Sequence, residues 1–248
     1  LCQWAGSLAL PSSHTTWFNF LASHDGIGLN PLRGILPESE ILSLVENLQQ
    51  EGALVNWKNN PDGTRSPYEI NVTYLDALSL RDSSDDERIA RFILAHAVLL
   101  SFPGVPAVYI QSILGSRNDY EGVERLGYNR AINRKKYTAG QVDLELNNKK
   151  SIRYQIYSRL SELIAIRRGE SAFHPDSQAI FDAIGEHILK IVRVAENGER
   201  MTALFNFSNK MQTVYGQTLF GRELLSGQDI SGTELTLNPW QGMWIKEN

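Results

Sequence analysis

Disulfides, membrane spans and a surplus of one charge are all missing from these 248 residues. The single cysteine, Cys2, excludes an internal disulfide and favours a reducing compartment, so a cytoplasmic protein is expected. The net charge is only -4, which removes the electrostatic case for nucleic acid or an anionic membrane surface as partner. The longest apolar-rich stretch, residues 89–102, is interrupted by Arg91 and His96 and reads as a packed helix rather than a membrane span. No signal-peptide pattern is visible.

What is present fits an ordinary globular chain. Hydrophobic residues make up 42% and charged residues 21%. The length suffices for one large domain, or for a domain with a small module. The text begins at Leu1, inside an apolar stretch, so the chain is expected to be part of a longer protein.

Residues 15–23 ("TTWFNFLAS") are β-branched and aromatic and read as a buried strand. From Pro37 a helical spacing begins, with Ile41, Leu44, Val45 and Leu48 on one face and Gly52 as the stop. Residues 56–68 are dense in Asn, Pro, Asp and Gly and read as a loop. A helix is predicted over 88–102 and a short buried strand within 105–114. A long loop follows, and then a helix over about 152–168 with Ile156, Leu160, Leu163 and Ile164 on one face. This alternation suggests a parallel α/β architecture. Two strand–helix units cannot close a (β/α)8 barrel, so only the C-terminal part of one is expected.

After about residue 170 the texture changes to short strands punctuated by Gly, Asn and Pro, with a hairpin signal at Asn197-Gly198. The expected fold class is therefore α/β. It comprises the C-terminal part of a (β/α)8 TIM barrel with an inserted loop and helix region, followed by a small antiparallel β domain. The expected segments are a late barrel strand region (1–27), an inserted subdomain (28–84), the last barrel helix–strand–helix units (85–169) and the β domain (170–248).

The chemistry concentrates at "NFLASHDGIG", residues 19–28. His24 and Asp25 stand where a strand hands over to a loop. Gly26 and Gly28 remove bulk, which would let a ligand approach the backbone. A carboxylate beside an imidazole suits vicinal hydroxyls, and a fixed Asp stabilises a developing oxocarbenium-like charge. Asp-Gly is also a common turn dipeptide, and two side chains are too few for a metal site.

This stretch resembles the fourth signature region of the α-amylase superfamily, glycoside hydrolase family 13. Further segments are similar, in order, to its sucrose phosphorylase subfamily. "SPYEINVTYLDAL" resembles that subfamily's mobile acceptor loop, and "FPGVPAVYIQSILGSRND" its last barrel strand with the loop after it. "NRAINR" resembles its Arg-x-Ile-Asn-Arg motif, and "LNPWQGMWI" the final strand of its C-terminal domain. Within the subfamily the wording resembles glucosylglycerate phosphorylases most, whereas sucrose phosphorylases more often carry Gln where Glu69 stands.

The resemblance implies a retaining α-glucosyl phosphorylase acting by double displacement, with inorganic phosphate as co-substrate and no metal or organic cofactor. It implies Asp25 as the carboxylate that stabilises the transition state, and His24 and Arg130 as ligands of the glucosyl unit. Tyr68 and Glu69 become a pair facing acceptor or phosphate, with Arg65 as a nearby compensating cation, and Arg134 a structural anchor. A solvent-facing Glu69 is the plainer alternative. The nucleophile and the acid/base are expected upstream, so the isolated chain is expected to be inactive. A sucrose phosphorylase or hydrolase of the same superfamily, and a non-catalytic sugar-binding fragment, are the rival readings. The expected partners are a small sugar, phosphate, and the remaining barrel segment or a second copy. Trp57 and Tyr109 read as packing residues, and His14, His96, His174 and His187 receive no role.

Overall fold

A computed structural model describes residues 1–248, apart from the side chains at positions 217 and 218. In chain order the elements are α1 (Cys2–Ser7), β1 (Phe18–Phe20), β2 (Ile27–Gly28), α2 (Glu38–Gln50), β3 (Leu54–Asn59) and β4 (Arg65–Asn71). Next come α3 (Tyr74–Ala77), α4 (Asp85–Ser101), β5 (Val105–Ala107), α5 (Ile110–Ile113), α6 (Tyr120–Leu126), α7 (Ala139–Leu146) and α8 (Ile152–Gly169). The last six are β6 (Gln178–Ile184), β7 (Ile188–Val194), β8 (Arg200–Asn206), β9 (Gln212–Glu223), β10 (Asp229–Leu237) and β11 (Gly242–Glu247).

The chain divides into two compact units. One comprises Leu1–Asn19, Ile93–Ala107 and Arg159–Asn248; the other comprises Phe20–Phe92 and Val108–Ser158. The first is dominated by a six-stranded sheet of order β10-β9-β11-β8-β7-β6, whose described pairings are antiparallel. Ile188, Leu204, Val214, Leu219, Leu237 and Ile245 bury their side chains in its core. The β7–β8 hairpin turns at Gly198, whose φ of 86° only glycine adopts without strain. Among the described residues no helix is long and apolar enough to cross a membrane.

The second unit carries the three-stranded antiparallel sheet β2-β4-β3. Helix α2 lays Ile41 and Val45 onto it, beside Leu29, Ala53, Ile70 and Val72. Glu38 and Glu40 in the first turn of α2 complement the positive end of its dipole.

Four local expectations are corrected. The strand read over 15–23 shrinks to β1, and its Phe18 and Phe20 are 66% and 53% exposed. The strand read within 105–114 shrinks to β5 and gives way to α5. Within this length of chain both lie in a two-stranded sheet.

The loop read over 56–68 is a hairpin. Its turn chemistry is confined to residues 60–64, where Asn60 N–H donates to Thr64 O (2.8 Å) and the Asp62 carboxylate accepts from Thr64 N–H (2.9 Å) and Oγ1–H (2.6 Å). These hydrogen bonds hold the exposed Asp62 carboxyl below its ordinary value. The flanking residues are strands because β4 is paired on both sides. The long loop after β5 also hides α6, which is capped by Asp119.

Candidate active site

The expected site residues fall within the second unit. Asp25 follows β1, and its backbone carbonyl accepts from Asn133 Nδ2 at 2.9 Å. The same amide group reaches Ser23 O at 3.3 Å, and Ser23 Oγ accepts the Asp25 N–H at 3.1 Å. The 3-10 turn Asn129–Asn133 buries Ala131 and Ile132 and thereby fixes the arginines around it. Arg130 places Nη1 2.7 Å from Asp25 Oδ1. Arg134 donates from Nε to His24 O at 2.7 Å and brings Nη2 to 3.4 Å from the same Oδ1. Arg134 therefore anchors the backbone, as expected, and also reaches the carboxylate.

Asp25 and Arg130 are about equally open, with side chains 42% and 39% exposed, and His24 is 69% exposed beside them. The His24 Nε2 atom lies 3.7 Å from Asp25 Oδ1. A half-exposed anion held by two guanidiniums, next to an imidazole, can accept hydroxyl hydrogen bonds and oppose a developing positive charge. Hydrogen bonding and charge from Glu69, with Asp25 adding to it, hold the Arg130 guanidinium above its ordinary value.

Glu69 is not the solvent-facing carboxylate of the plainer reading. It is 3% exposed, in the middle strand of the sheet. Its Oε1 accepts Gly26 N–H at 2.7 Å, and its Oε2 accepts Asn56 Nδ2–H at 2.9 Å and Arg130 Nε–H at 3.1 Å. The cation at Glu69 is thus Arg130. Arg65 lies opposite Asn59 at the far end of β4. Tyr68 is half-buried beside Glu69, and its backbone carbonyl accepts Leu29 N–H at 3.0 Å.

The glycines are corrected as well. A Cβ at Gly26 would lie 2.5 Å from Ile70 O and 2.7 Å from Glu69 Cγ, so the close approach there is made by the protein itself. A Cβ at Gly28 would meet only Pro31 Cδ, at 3.9 Å.

Sequence reasoning missed Asn56, Asn129 and Asn133. Asn133 lay inside the "RAINR" motif, which was a usable signal. Asn129 donates to Asn56 Oδ1 at 2.8 Å, a contact between residues 73 apart that no local pattern announces. Among the described residues no group of three or more His, Cys, Asp or Glu side chains could hold a metal ion.

No family model matches the chain. It is 67% identical over 246 residues to the glucosylglycerate phosphorylase of Escherichia coli strain K12, an alignment covering 99% of this chain and 44% of that protein. It is 30% identical over 190 residues to the sucrose phosphorylase of Streptococcus mutans, covering 74% of this chain and 36% of the relative. The crystal structure of sucrose 6F-phosphate phosphorylase from Thermoanaerobacter thermosaccharolyticum superposes with a TM-score of 0.66 at 22% identity, over 89% of this chain and 41% of that one. The chain spans less than half the length of these proteins, and its fold is shared with that part of their barrel and β-domain architecture. With motifs, fold and relatives in agreement, the chain belongs to the sucrose phosphorylase subfamily of glycoside hydrolase family 13, the α-amylase superfamily.

Proposed function

We propose that this chain works as part of a retaining α-glucosyl phosphorylase that cleaves glucosylglycerate with inorganic phosphate to give α-glucose 1-phosphate. One observation carries the reading. Stretches around residues 25, 69 and 130, far apart in sequence, converge on the Arg130 guanidinium and leave the Asp25 carboxylate open at the rim. The 67% identity to a glucosylglycerate phosphorylase supports that choice of substrate.

In this reading Asp25 grips sugar hydroxyls and stabilises the oxocarbenium-like transition state, because its charge attracts the cation more than the neutral ground state. His24 and Arg130 bind the same glucosyl unit, and Tyr68 offers a hydroxyl to phosphate or acceptor. No residue of this chain is assigned as nucleophile or acid/base, so in this reading both come from the remaining barrel strands of a longer chain. Phosphate is a co-substrate, and no cofactor enters the bond balance: a phosphate oxygen replaces the leaving glycerate on the anomeric carbon, and glycerate departs with a proton. We place the enzyme in the cytoplasm, where the Cys2 thiol stays reduced.

The test uses a protein extended to the length of its relatives, supplied with glucose 1-phosphate and glycerate, fructose or glycerol. Phosphate release should be fastest with glycerate, and Asp25→Asn should lower kcat by roughly 100- to 1,000-fold with a smaller change in KM. Preference for fructose would make it a sucrose phosphorylase, and turnover with water alone a hydrolase. The isolated 248-residue chain should be inert with every acceptor.

A further inference from the structure

We propose that Glu69 is a positioning residue: its carboxylate sits in a cradle built only of donors and sets Arg130 against Asp25. The proposal rests on the functional reading above and replaces acceptor contact as the role of this side chain.

Three donors from three segments meet one buried carboxylate. They are the Gly26 backbone N–H, the Asn56 side-chain amide and Arg130 Nε. The Asn56 amide cannot present its oxygen instead, because Oδ1 already accepts Asn129 Nδ2–H at 2.8 Å. That partner assigns the amide orientation, leaving Nδ2 to face Glu69. Asn56 is also the direct cross-strand neighbour of Glu69, while Gly28 on the other side offers no side chain. The glycine after Asp25 follows from the same packing, since Ile70 O and the Glu69 side chain together fill the space a Cβ would take.

The guanidinium of Arg130 is thereby divided. Nε is committed to Glu69 and Nη1 to Asp25, so a planar fork transmits the position of a buried group to an open one. A glutamine at position 69 has one acceptor oxygen and one NH2 group. Turned one way, its NH2 confronts the Gly26 N–H; turned the other, it confronts Asn56 Nδ2 and Arg130 Nε. Either choice sets donor against donor in a buried place and replaces the charged acceptor of Arg130 Nε, which lies 3.1 Å from Oε2 and 3.0 Å from Oε1, by a single neutral oxygen, which loosens the alignment of the arginine.

The same geometry specifies a repair. In the Glu69→Gln, Asn56→Asp double variant, the new amide can donate to the new carboxylate. The glutamine oxygen then takes Gly26 N–H and Arg130 Nε, which already lies 3.0 Å from Oε1 of Glu69. The other oxygen of the introduced aspartate still accepts from Asn129. The total charge is unchanged.

The experiment compares the wild type, both single variants and the double variant, in the protein extended to relative length. Each single variant should lose at least about tenfold in kcat/KM for phosphorolysis, and the double variant should recover to within about threefold of wild type. In an Arg130→Ala background, Glu69→Gln should cost no further activity, because the path runs through that arginine. Wild-type kcat/KM in Glu69→Gln, an unrescued double variant, or an undiminished Glu69→Gln effect in the Arg130→Ala background would each overturn the proposal.

A second readout needs no turnover. The Arg130 Nε–H resonance of the wild type should be protected from exchange, lost in Glu69→Gln and restored in the double variant. If the enzyme assay is silent for the wild type but this pattern holds, the functional reading fails and the cradle stands. If the wild type turns over but Arg130 Nε–H is unprotected, the cradle fails and the functional reading stands.

Discussion

Two buried glutamates, one in each compact unit, are satisfied in opposite ways. Among the described residues Glu223, 2% exposed at the end of β9, accepts only from backbone N–H groups: Leu225 and Trp244 at 3.1 Å each, and Ser226 at 2.6 Å. All three belong to its own turn or to the adjacent strand, so the carboxylate closes a corner of the six-stranded sheet and leads nowhere. Glu69, 3% exposed, accepts one backbone N–H and two side-chain donors, and one of those side chains is Arg130, which ends at the open rim beside Asp25. Burial alone therefore does not separate a structural carboxylate from one tied to a site. The identity of its donors does.

The comparison can be broken first at Glu223. Glu223→Ala leaves the buried Trp244 N–H and the part-buried Leu225 and Ser226 N–H groups without their acceptor and should cost about 3 kcal/mol of unfolding free energy. A shift in the urea midpoint worth less than about 1 kcal/mol would show that the corner relaxes and that the two glutamates are energetically alike. Sugar binding by the surviving folded protein should be untouched, the reverse of what Glu69→Gln should do.

The next lever is steric. Gly26→Ala forces a Cβ against Ile70 O and Glu69 Cγ and should cost roughly 1–3 kcal/mol while also lowering activity. Gly28→Ala, with open space at its Cβ, should stay within about 0.5 kcal/mol. Equal stabilities for the two alanine variants would remove the claim that Ile70 O and Glu69, rather than a ligand, occupy the space beside Gly26.

The smallest effect is a matter of pH. In the sheet unit Lys246 holds Glu170 at 2.6 Å and Glu199 at 2.9 Å. Burial opposes ionisation of Glu199, but hydrogen bonds from Lys246, Ala172 N–H and Ser171 keep its carboxyl below the ordinary 4.5. Hydrogen bonds to Glu170 and Glu199 hold Lys246 above its ordinary 10.5. A depressed carboxyl contributes stability above its unfolded value and loses it as pH falls through the folded one. A raised ammonium contributes below its unfolded value and loses it as pH rises through the folded one. The cluster should thus be complete between 4.5 and 10.5 and weaken beyond both limits. Lys246→Ala should flatten the acid limb of the stability profile slightly, as followed by urea midpoints between about pH 3 and 6. An unchanged limb would mean that the ion pairs are solvated and idle.

Much of this was legible along the chain. Pro37 with Glu38 and Glu40 announced α2, and the spacing of Ile156, Leu160 and Leu163 announced α8. Asn197-Gly198 marked a hairpin that is there. The hairpin β3–β4 was hidden because Asn56, Lys58 and Asn59 carry polar side chains in a strand, and Pro67 sits in its partner. Such residues are depleted in strands, and only pairing on both sides of β4 overrules them. At the site, the motif residues Asp25, His24 and Arg130 could be picked out by resemblance, whereas Asn56 and Asn129 could not.

Local chemistry by itself determined where this protein turns, where its helices begin, and which residues carry ionisable groups at a strand tip, because those preferences act over a few neighbouring residues. The tertiary structure alone decided that Glu69 must be an acceptor. Its donors come from 43 positions before it, 13 before it and 61 after it, and a hydrogen bond has no polarity to satisfy until both of its ends are brought together.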